Sequence, residues 1–357
     1  MNVMGERDFT TDQAAELHIK STSRAVTIFI FDIILYFGLI AIILCIPELW
    51  IKLLASIGAG LMTGCLFVVG HDCAHQSFTR HRQLNRWIGR LAFVPCLHPF
   101  STWELGHNKI HHPFTNQRGR DYVWEPLSLA EYQSLRWISR LRYRFYRTTI
   151  GHFFYNLDAI WWGHHFFPRS SVIGKWKSEY IVDHIFVCSW LVVFISAQAL
   201  FLRLSGFAAG SRVASRLAEL LVFTFVIPFQ YFQALMSSIT YLHHTHPSVK
   251  WRLASDDVDW VEAQMSNTIH VIFPGPVNYL FHMIMEHTAH HLRPGIPMYN
   301  LKEAQELLEE RHAAVIVYRW SLGCHLNIVR RCKLFDVEAS TWTDYEGRPT
   351  SLSRNQY

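Results

Sequence analysis

The sequence is poor in charged residues. Asp, Glu, Lys and Arg make up only 17% of its 357 residues, against roughly 25% in an average soluble domain, and half of the residues are hydrophobic. A purely soluble protein is therefore not expected. The formal net charge is only +5, and no block of like charges forms a tail, so we expect no nucleic-acid partner.

Neither a disulfide framework nor a secretory leader is expected. The seven cysteines are odd in number and widely spaced, with no CxxC pair, so a disulfide framework is not expected. Acidic residues such as Glu6 and Asp8 precede the first apolar run, and no small-residue cleavage site closely follows it. We therefore expect no secretory signal peptide, and the first apolar segment should stay in the mature protein.

Four long apolar runs are the main feature that is present. They cover about residues 25–47, 53–70, 185–202 and 221–242, and each is close to the roughly 20 residues that a helix needs to cross about 30 Å of hydrocarbon. An irregular or β crossing would leave backbone groups unpaired in lipid. The sequence therefore predicts an all-α integral membrane protein with four transmembrane helices. Four buried core helices of a large soluble protein are the alternative.

Basic residues predict how the spans are oriented. Residues 71–180 contain 15 Lys and Arg against 7 Asp and Glu, and such positively charged loops stay in the cytoplasm. With four crossings, both termini are then cytoplasmic too. We expect a cytoplasmic segment at residues 1–24, a membrane domain at residues 25–300 and a second cytoplasmic segment at residues 301–357.

Histidine is the residue in excess, because 22 histidines outnumber 18 glycines. Eight of them form three clusters next to the predicted cytoplasmic ends of the spans. These clusters are HDCAH with His71 and His75, HNKIHH with His107, His111 and His112, and HTAHH with His287, His290 and His291. Their i, i+3 and i, i+4 spacings place imidazoles on one face of a helix. A further run at the end of the fourth span holds His243, His244 and His246.

Converging imidazoles indicate a metal centre. Neutral imidazole binds iron, copper and zinc, and a zinc site is complete with four ligands or with three and a water. Eight or nine histidines therefore favour two metal ions with about four or five ligands each. Each cluster alone could be surface histidine, and HDCAH also looks like the HExxH motif of zinc proteases with Asp in place of Glu. Together, the clusters favour a two-metal site in a cytoplasmic helical cap.

The residues around the clusters resemble a known family. HDCAHQSFTR, HNKIHHPFTN and HTAHHLRPGIPMYNL, with YLHHTHP at the fourth span, are similar to the histidine boxes of the membrane fatty-acid desaturases. Their flanking residues are most similar to the acyl-lipid omega-6 (delta-12) branch of cyanobacteria and plastids. The resemblance runs from about residue 70 to residue 300. Its motifs are specific for the superfamily and much less specific for the position of the double bond.

The resemblance implies a centre of two iron ions held by nine histidines. Carried over residue by residue, the ligands are His71, His75, His107, His111, His112, His244, His287, His290 and His291. His243 is the nearest competitor of His244, because a shift of one residue at the helix end would exchange them. Polar residues near the ligands in sequence are candidates to accept a ligand's second ring N–H. They are Asp72, Asn108, Asn116, Asp121, Asp257 and Glu286.

The activity that the resemblance implies is O2-dependent desaturation of a membrane-lipid acyl chain, with a cis double bond at the delta-12 position. A saturated chain offers no acidic proton, so a general base or an activated serine cannot begin the reaction, and an oxidising metal is required. No catalytic residue beyond the ligands is expected. Two electrons would come from ferredoxin or a small b-type cytochrome. The implied location is a bacterial inner or thylakoid-type membrane, with the site on its cytoplasmic side.

Two alternatives remain open at this point. The same iron centre could support a hydroxylase, an acetylenase or a carotenoid oxygenase, because oxygen rebound and loss of a second hydrogen compete after the first hydrogen is removed. A histidine-rich metal transporter belongs to a different class. Transport sites are expected near the middle of the membrane, whereas these clusters lie at the ends of the spans, so the sequence favours the enzyme.

Overall fold

Helices make up most of the protein. The computed structural model describes residues 15–169, 173–207, 210, 212–256 and 259–351. The first half of the described chain contains α1 (Thr22–Cys45), α2 (Leu49–Ala74), α3 (Arg82–Phe93), α4 (Phe100–Gly106), the π-helix π1 (His107–His111), α5 (Leu129–Ser134), α6 (Trp137–Tyr146), α7 (His152–Tyr155) and the π-helix π2 (Asn156–Phe166).

The second half adds further helices and four short strands. The helices are a 3-10 turn (Gly174–Trp176), α8 (Lys177–Leu204), α9 (Arg212–Leu221), the π-helix π3 (Val222–Val226), α10 (Ile227–His244), α11 (Trp260–Asn267), α12 (Val277–Leu280), α13 (His287–Leu292), a 3-10 turn (Met298–Asn300), α14 (Leu301–Arg311) and α15 (Leu322–Arg331). The strands are β1 (Ile269–Ile272), β2 (Ile316–Arg319), β3 (Leu334–Asp336) and β4 (Thr341–Thr343). β1 pairs in parallel with β2, and β3 pairs antiparallel with β4.

Within the described ranges, four helices are long and apolar enough to cross a membrane. They are α1, α2, the continuous helix Gly174–Leu204 that contains α8, and the continuous helix Arg212–His244 formed by α9, π3 and α10. The predicted four-span helical membrane protein is thereby confirmed. α2 and α10 extend beyond the predicted ends of their spans, so that His71 lies in the last turns of α2 and His244 is the last residue of α10.

The structure divides into two compact units. The first, which we call the span unit, consists of Ser21–Glu104 and Trp162–Leu235. The second, which we call the box unit, consists of Leu105–Trp161, Met236–Tyr357 and the described residues up to Lys20. The span unit therefore holds the first histidine cluster of the sequence, and the box unit holds the other two.

Close packing fixes the end of α2 in the span unit. Phe67 of α2 stacks on Phe93 of α3, with ring centroids 4.9 Å apart. Gly70 permits α3 to approach, because a Cβ atom at this position would lie 2.2 Å from the ring of Phe93. His71 follows Gly70 directly in the chain. The position of His71 therefore depends on this glycine, because no larger residue could replace it without movement of α3.

Hydrogen bonds between elements fix α13 in the box unit. The buried Gln305 of α14 accepts a hydrogen bond from the backbone N–H of Ala289, in the middle of α13, at 2.8 Å. The hydroxyl groups of Thr268 and Thr288 lie 3.0 Å apart and connect the residue before β1 to the same helix. A helix of only six residues is thus held from two sides, as short helices require, since they gain little stability of their own.

Candidate metal centre

The second histidine box does not form an α-helix. His107–His111 forms a π-helical turn, in which the backbone N–H of His112 donates to the carbonyl oxygen of His107 at 3.0 Å. A π turn brings residues i and i+5 to the same face, and such turns are frequent at functional sites. The Nε2 atoms of His107 and His112 are 3.1 Å apart as a result. The sequence predicted α-helical spacing here, which would have paired His107 with His111 instead.

Two groups of imidazole nitrogens lie in the box unit. In the first group, His107, His112 and His290 place one ring nitrogen each within 4.8 Å of the others, and the Nε2 atoms of His112 and His290 are 3.2 Å apart. All three side chains are buried. We call this group the first imidazole group.

The second imidazole group consists of His111, His244, His287 and His291. Their ring nitrogens also lie within 4.8 Å of one another, and the Nε2 atoms of His244 and His287 are 2.9 Å apart. All four side chains are buried. The second and third boxes therefore both contribute to both groups. In the second box, His107 and His112 belong to the first group and His111 to the second. In the third box, His290 belongs to the first group, while His287 and His291 belong to the second.

The separations between the nitrogens fit metal ligands. Imidazole nitrogens bind zinc at about 2.0–2.1 Å, and two nitrogens at that distance from one ion and at a right angle are about 3.0 Å apart. The three pairs of Nε2 atoms are separated by 2.9–3.2 Å. Nε2 of His291 is buried and has no hydrogen-bond partner among the described residues. A buried polar atom without a partner is costly, and an ion in the second imidazole group would satisfy it.

The electrostatics also favour metal binding. Burial lowers the pKa of His287 and of His291 well below the usual value for histidine, and the neighbouring histidines lower both pKa values further. Both imidazoles are therefore neutral near pH 7, which is the form that binds metals. The described chain thus holds two buried imidazole groups, and one ion could bind in each.

The sequence is similar to those of known proteins. The family model described as fatty acid desaturase matches residues 48–322. The chain belongs to the fatty acid desaturase family. It is 32% identical to the sn-1 oleoyl-lipid 12-desaturase of Synechocystis sp., over 82% of this chain and 77% of that protein. It is 29% identical to the sn-1 acyl-lipid omega-3 desaturase (ferredoxin) of the same organism, over 83% of this chain and 77% of that protein.

A plant relative extends the comparison. The chloroplastic omega-6 fatty acid desaturase of Arabidopsis thaliana is 28% identical over 76% of this chain and 56% of that protein. The protein is therefore an oxidoreductase of the desaturase class and a multi-pass membrane protein. The alternatives of a metal transporter and of another di-iron enzyme are not favoured by these relatives, whose names all state desaturation.

A carboxylate orients one ring of the second imidazole group. Both oxygens of Asp121 lie 3.0 Å from Nδ1 of His111. Asp121 also accepts hydrogen bonds from the backbone N–H groups of Asn116 at 2.9 Å and Val123 at 3.0 Å. With Nδ1 of His111 donating to Asp121, the lone pair of this ring is on Nε2, as in metal sites whose ligands are held by a carboxylate.

Gln264 of α11 orients a second ring of this desaturase, and the sequence did not reveal it. Its Oε1 lies 2.9 Å from Nδ1 of His291 and accepts a hydrogen bond from the hydroxyl of Thr115 at 3.0 Å. Its Nε2 donates to the carbonyl oxygen of His112 at 3.2 Å. Gln264 stands 27 residues before His291 in the chain, so proximity in sequence could not have found it. The only signal was an amide side chain on a short helix.

Asp72, Asn116 and Asn108 were also predicted to accept a ring N–H from a histidine, and their surroundings differ from one another. Oδ1 of Asp72 is 3.7 Å from Nδ1 of His71. The side chain of Asn116 donates to the carbonyl oxygen of Lys250 at 3.3 Å. Asn108 lies half-buried in π1, and Asp257 lies outside the described residues.

The carboxylate of Glu286, next to the third box, is hydrogen-bonded to a neighbouring side chain. Its two oxygens accept hydrogen bonds from Nδ2 of Asn278 at 2.7 and 2.8 Å. Burial raises the pKa of Glu286 to about 7. Its carboxyl group therefore holds the loop before α13 rather than a ligand ring.

The span unit places the first histidine box on the last turns of α2. His71 is buried, and the ring centroids of His71 and His75 are 4.8 Å apart. The backbone N–H of His75 donates to the carbonyl oxygen of His71 at 3.2 Å, so the predicted i, i+4 placement on one helix face is present. The ring of Trp103 lies 6.4 Å from that of His71.

The structure separates His243 from His244. Within the described chain, the second imidazole group includes His244 and not His243. The ring of His243 instead stacks on that of His287, with centroids 3.8 Å apart. His244 and not His243 therefore lies where it could bind an ion together with His111, His287 and His291, and His243 packs against the ring of His287.

Proposed function

We propose that this desaturase introduces a cis double bond at the delta-12 position of an oleoyl chain on a membrane glycerolipid. The observation that carries the proposal is the presence of two buried imidazole groups in a member of this family. Relatives named for oleoyl-lipid 12-desaturation and omega-6 desaturation support the position. One relative of similar identity is named an omega-3 desaturase, so the position of the new bond is what the experiment must decide.

The nine histidines are proposed to hold two iron ions. One ion would be bound by the second imidazole group, and the other by the first imidazole group together with His71 and His75. The Nε2 separations of 2.9–3.2 Å support the assignments in the box unit, and the family motif alone supports His71 and His75. When bound, the iron pair supplies the oxidising power, from O2 and two external electrons, that removal of two hydrogens from unactivated carbons requires.

The side chains around the histidines hold and orient them. Asp121 and Gln264 each accept a ring N–H, from His111 and His291 respectively, so that the opposite nitrogen of each ring carries the lone pair. Burial of these rings excludes water, which would otherwise compete for the ligand nitrogens and weaken the hydrogen bonds that orient them. No side chain is assigned a proton-transfer role, in keeping with a reaction that begins at unactivated C–H bonds.

Two electrons per turnover must come from a partner protein. We propose ferredoxin, which is named in the description of the omega-3 relative, with a small b-type cytochrome as the other candidate. We also propose that the histidines face the cytoplasm, in a bacterial inner or thylakoid-type membrane, with residues 1–24 and 301–357 on the same side. The excess of basic residues at positions 71–180 supports this orientation.

The orientation can be tested through Cys324, which is exposed on α15. A membrane-impermeant thiol reagent should label this residue in inverted membrane vesicles and not in intact cells. The Cys324→Ser variant controls for labelling of other thiols. Labelling of Cys324 in intact cells would reverse the proposed orientation.

The reaction can be tested in a host that makes oleoyl lipids but no polyunsaturated chains. The desaturase should be expressed with ferredoxin and its reductase, and the position of new double bonds should be read from fatty-acid derivatives by mass spectrometry. We expect linoleoyl chains with the wild type and none with His290→Ala, which should still insert into the membrane. A new hydroxyl group or triple bond would contradict desaturation. If new double bonds form only when linoleoyl lipids are supplied, the protein is an omega-3 desaturase and not a delta-12 desaturase.

A further inference from the structure

A buried threonine joins the second histidine box to the third. Thr115 follows the second box by three residues and is 0% exposed. Its Oγ1 lies 2.9 Å from the carbonyl oxygen of His111 and 3.2 Å from that of His112. The same oxygen lies 3.2 Å from Nδ1 of His291 in the third box. A single hydroxyl group therefore contacts three of the proposed ligands, from two different boxes.

The polar atoms around this hydroxyl are matched as donors and acceptors. A threonine hydroxyl has one proton and two lone pairs, and the carbonyl oxygen of His111 and Oε1 of Gln264, at 3.0 Å, can accept the proton. A lone pair then faces Nδ1 of His291. Nε2 of Gln264 donates to the carbonyl oxygen of His112 at 3.2 Å, which leaves Oε1 for Nδ1 of His291 at 2.9 Å. Both of these oxygens favour the proton on Nδ1 and the lone pair on Nε2 of this ring.

The place of Thr115 in the chain explains its contacts with the second box. A threonine hydroxyl in a helix reaches the carbonyl oxygens three and four residues before it, which here belong to His112 and His111. The next residue, Asn116, has a φ of 52°, so the helical turn ends at this point. Carbonyl oxygens at the end of a helix lack intrahelical N–H partners. The hydroxyl therefore supplies a donor where the backbone of the second box needs one.

The backbone that Thr115 holds is shared by the two imidazole groups. His111 and His112 are neighbours in the chain, yet His112 belongs to the first group and His111 to the second. A shift of this backbone would therefore move one imidazole of each group. Asp121 differs in this respect, because it orients the ring of His111, which belongs to the second group.

We propose that Thr115 is a positioning residue that holds the second box in register with His291, so that both imidazole groups keep the spacing that their ions need. The inference rests on the proposed function, because it takes the two groups as the sites of two iron ions. In the first group this spacing includes the separations of 3.1 and 3.2 Å that join Nε2 of His112 to those of His107 and His290. Thr115 acts through these ligands and takes no part in the chemistry itself.

The experiment compares iron release from the full-length, iron-loaded protein as the chelator concentration rises. Thr115→Val removes the hydroxyl and keeps the shape of the side chain. We expect both irons to leave at a chelator concentration about tenfold lower than in the wild type, since loss of a partner that orients metal ligands typically lowers metal affinity by about this factor or more.

Thr63→Val is the matched control for this substitution. Thr63 is also buried, and its hydroxyl also donates to the carbonyl oxygen four residues earlier, that of Ala59 at 2.9 Å. It lies on α2 in the span unit, and Thr63→Val should hold both irons as the wild type does. Wild-type iron retention in folded Thr115→Val would overturn the proposal.

A second pair of variants covers the case in which Thr115→Val does not fold. Thr115→Ser keeps the hydroxyl and Thr115→Ala does not, while both lack the methyl group. We expect Thr115→Ser to release iron nearly as the wild type does and Thr115→Ala to release both irons at a lower chelator concentration. Equal release from these two variants would overturn the proposal.

The melting temperature of the metal-free protein separates positioning from a purely structural role. If Thr115 only stabilises the fold, its variants will melt at a lower temperature and release iron as the wild type does, which would overturn the proposal. Early loss of one iron alone would overturn the shared role and leave Thr115 acting on one group. A wild type that binds fewer than two irons would overturn the proposed iron centre and this inference with it. Two irons in the wild type, with unchanged release in Thr115→Val, would overturn only the role of Thr115.

Discussion

Replacing Asp121 by asparagine should release iron from one half of the centre only. Asp121 contacts His111, which belongs to the second imidazole group, through both of its oxygens at 3.0 Å. The same carboxylate accepts a backbone N–H from Asn116 at 2.9 Å. Asparagine has the same shape but only one acceptor oxygen. In one orientation its NH2 group would face the backbone N–H of Asn116, and in the other that of Val123, so two donors would meet in either case.

The expected loss can be estimated from these contacts. A hydrogen bond to a charged group contributes about 1.5–3 kcal/mol, and removing such a partner of a metal ligand typically lowers metal affinity about 10–100-fold. The first imidazole group receives no hydrogen bond from Asp121 within the described chain. The weaker binding should therefore affect only the ion in the second imidazole group. Asp121→Asn should retain one iron per chain under conditions in which the wild type retains two.

The assay is iron stoichiometry after dialysis against increasing concentrations of a chelator, measured by mass spectrometry of the eluted metal. Asp336→Asn, a substitution of an exposed carboxylate on β3, is the matched control and should hold iron as the wild type does. Asp121→Asn that keeps two irons at every chelator concentration would refute the reasoning. Simultaneous loss of both irons would show that the two groups bind metal as one unit.

Three further outcomes can be tested in the same way. Gln264→Leu should lower iron retention and activity about tenfold, because the ring N–H of His291 loses its acceptor, while Gln264→Glu, which keeps an acceptor, should retain more of both. Gly70→Ala should lower the free energy of unfolding by about 1–3 kcal/mol, read as a lower melting temperature, since its Cβ would lie 2.2 Å from Phe93. The control variant Gly163→Ala places its Cβ within 4 Å of no atom and should leave the melting temperature unchanged. Complete removal of metal should abolish desaturation. Ferrous iron should restore the activity and zinc should not, because zinc has no redox chemistry. Recovery with zinc would contradict a di-iron mechanism.

The spans could be predicted from the sequence because a bilayer demands a fixed length of apolar helix. The four predicted runs correspond to the four long helices. The ends of these helices could not be predicted from hydropathy, since α2 continues to Ala74 through His71 and Asp72, which are polar but buried. His71 is therefore a buried residue within a helix and does not lie beyond the end of one.

The sequence predicted which histidines come together better than it predicted how they are arranged. Clustering of histidines beside the spans predicted that they converge, and seven of them do so in the box unit. Their division into two groups depends on the π turn at His107–His111, and a π turn is set by tertiary packing that spacing rules do not contain. Gln264 was missed for a related reason, because it reaches His291 across the fold and not along the chain.

The π turn makes the second and third boxes equivalent despite their different lengths. In the third box two residues separate His287 from the His290–His291 pair, and in the second box three residues separate His107 from the His111–His112 pair. In both boxes the first and last histidines share one group, while the middle histidine joins the other. A π turn is an α turn that has accepted one extra residue. The backbone thus absorbs an insertion inside a ligand motif, so boxes of either length can supply the same three imidazoles.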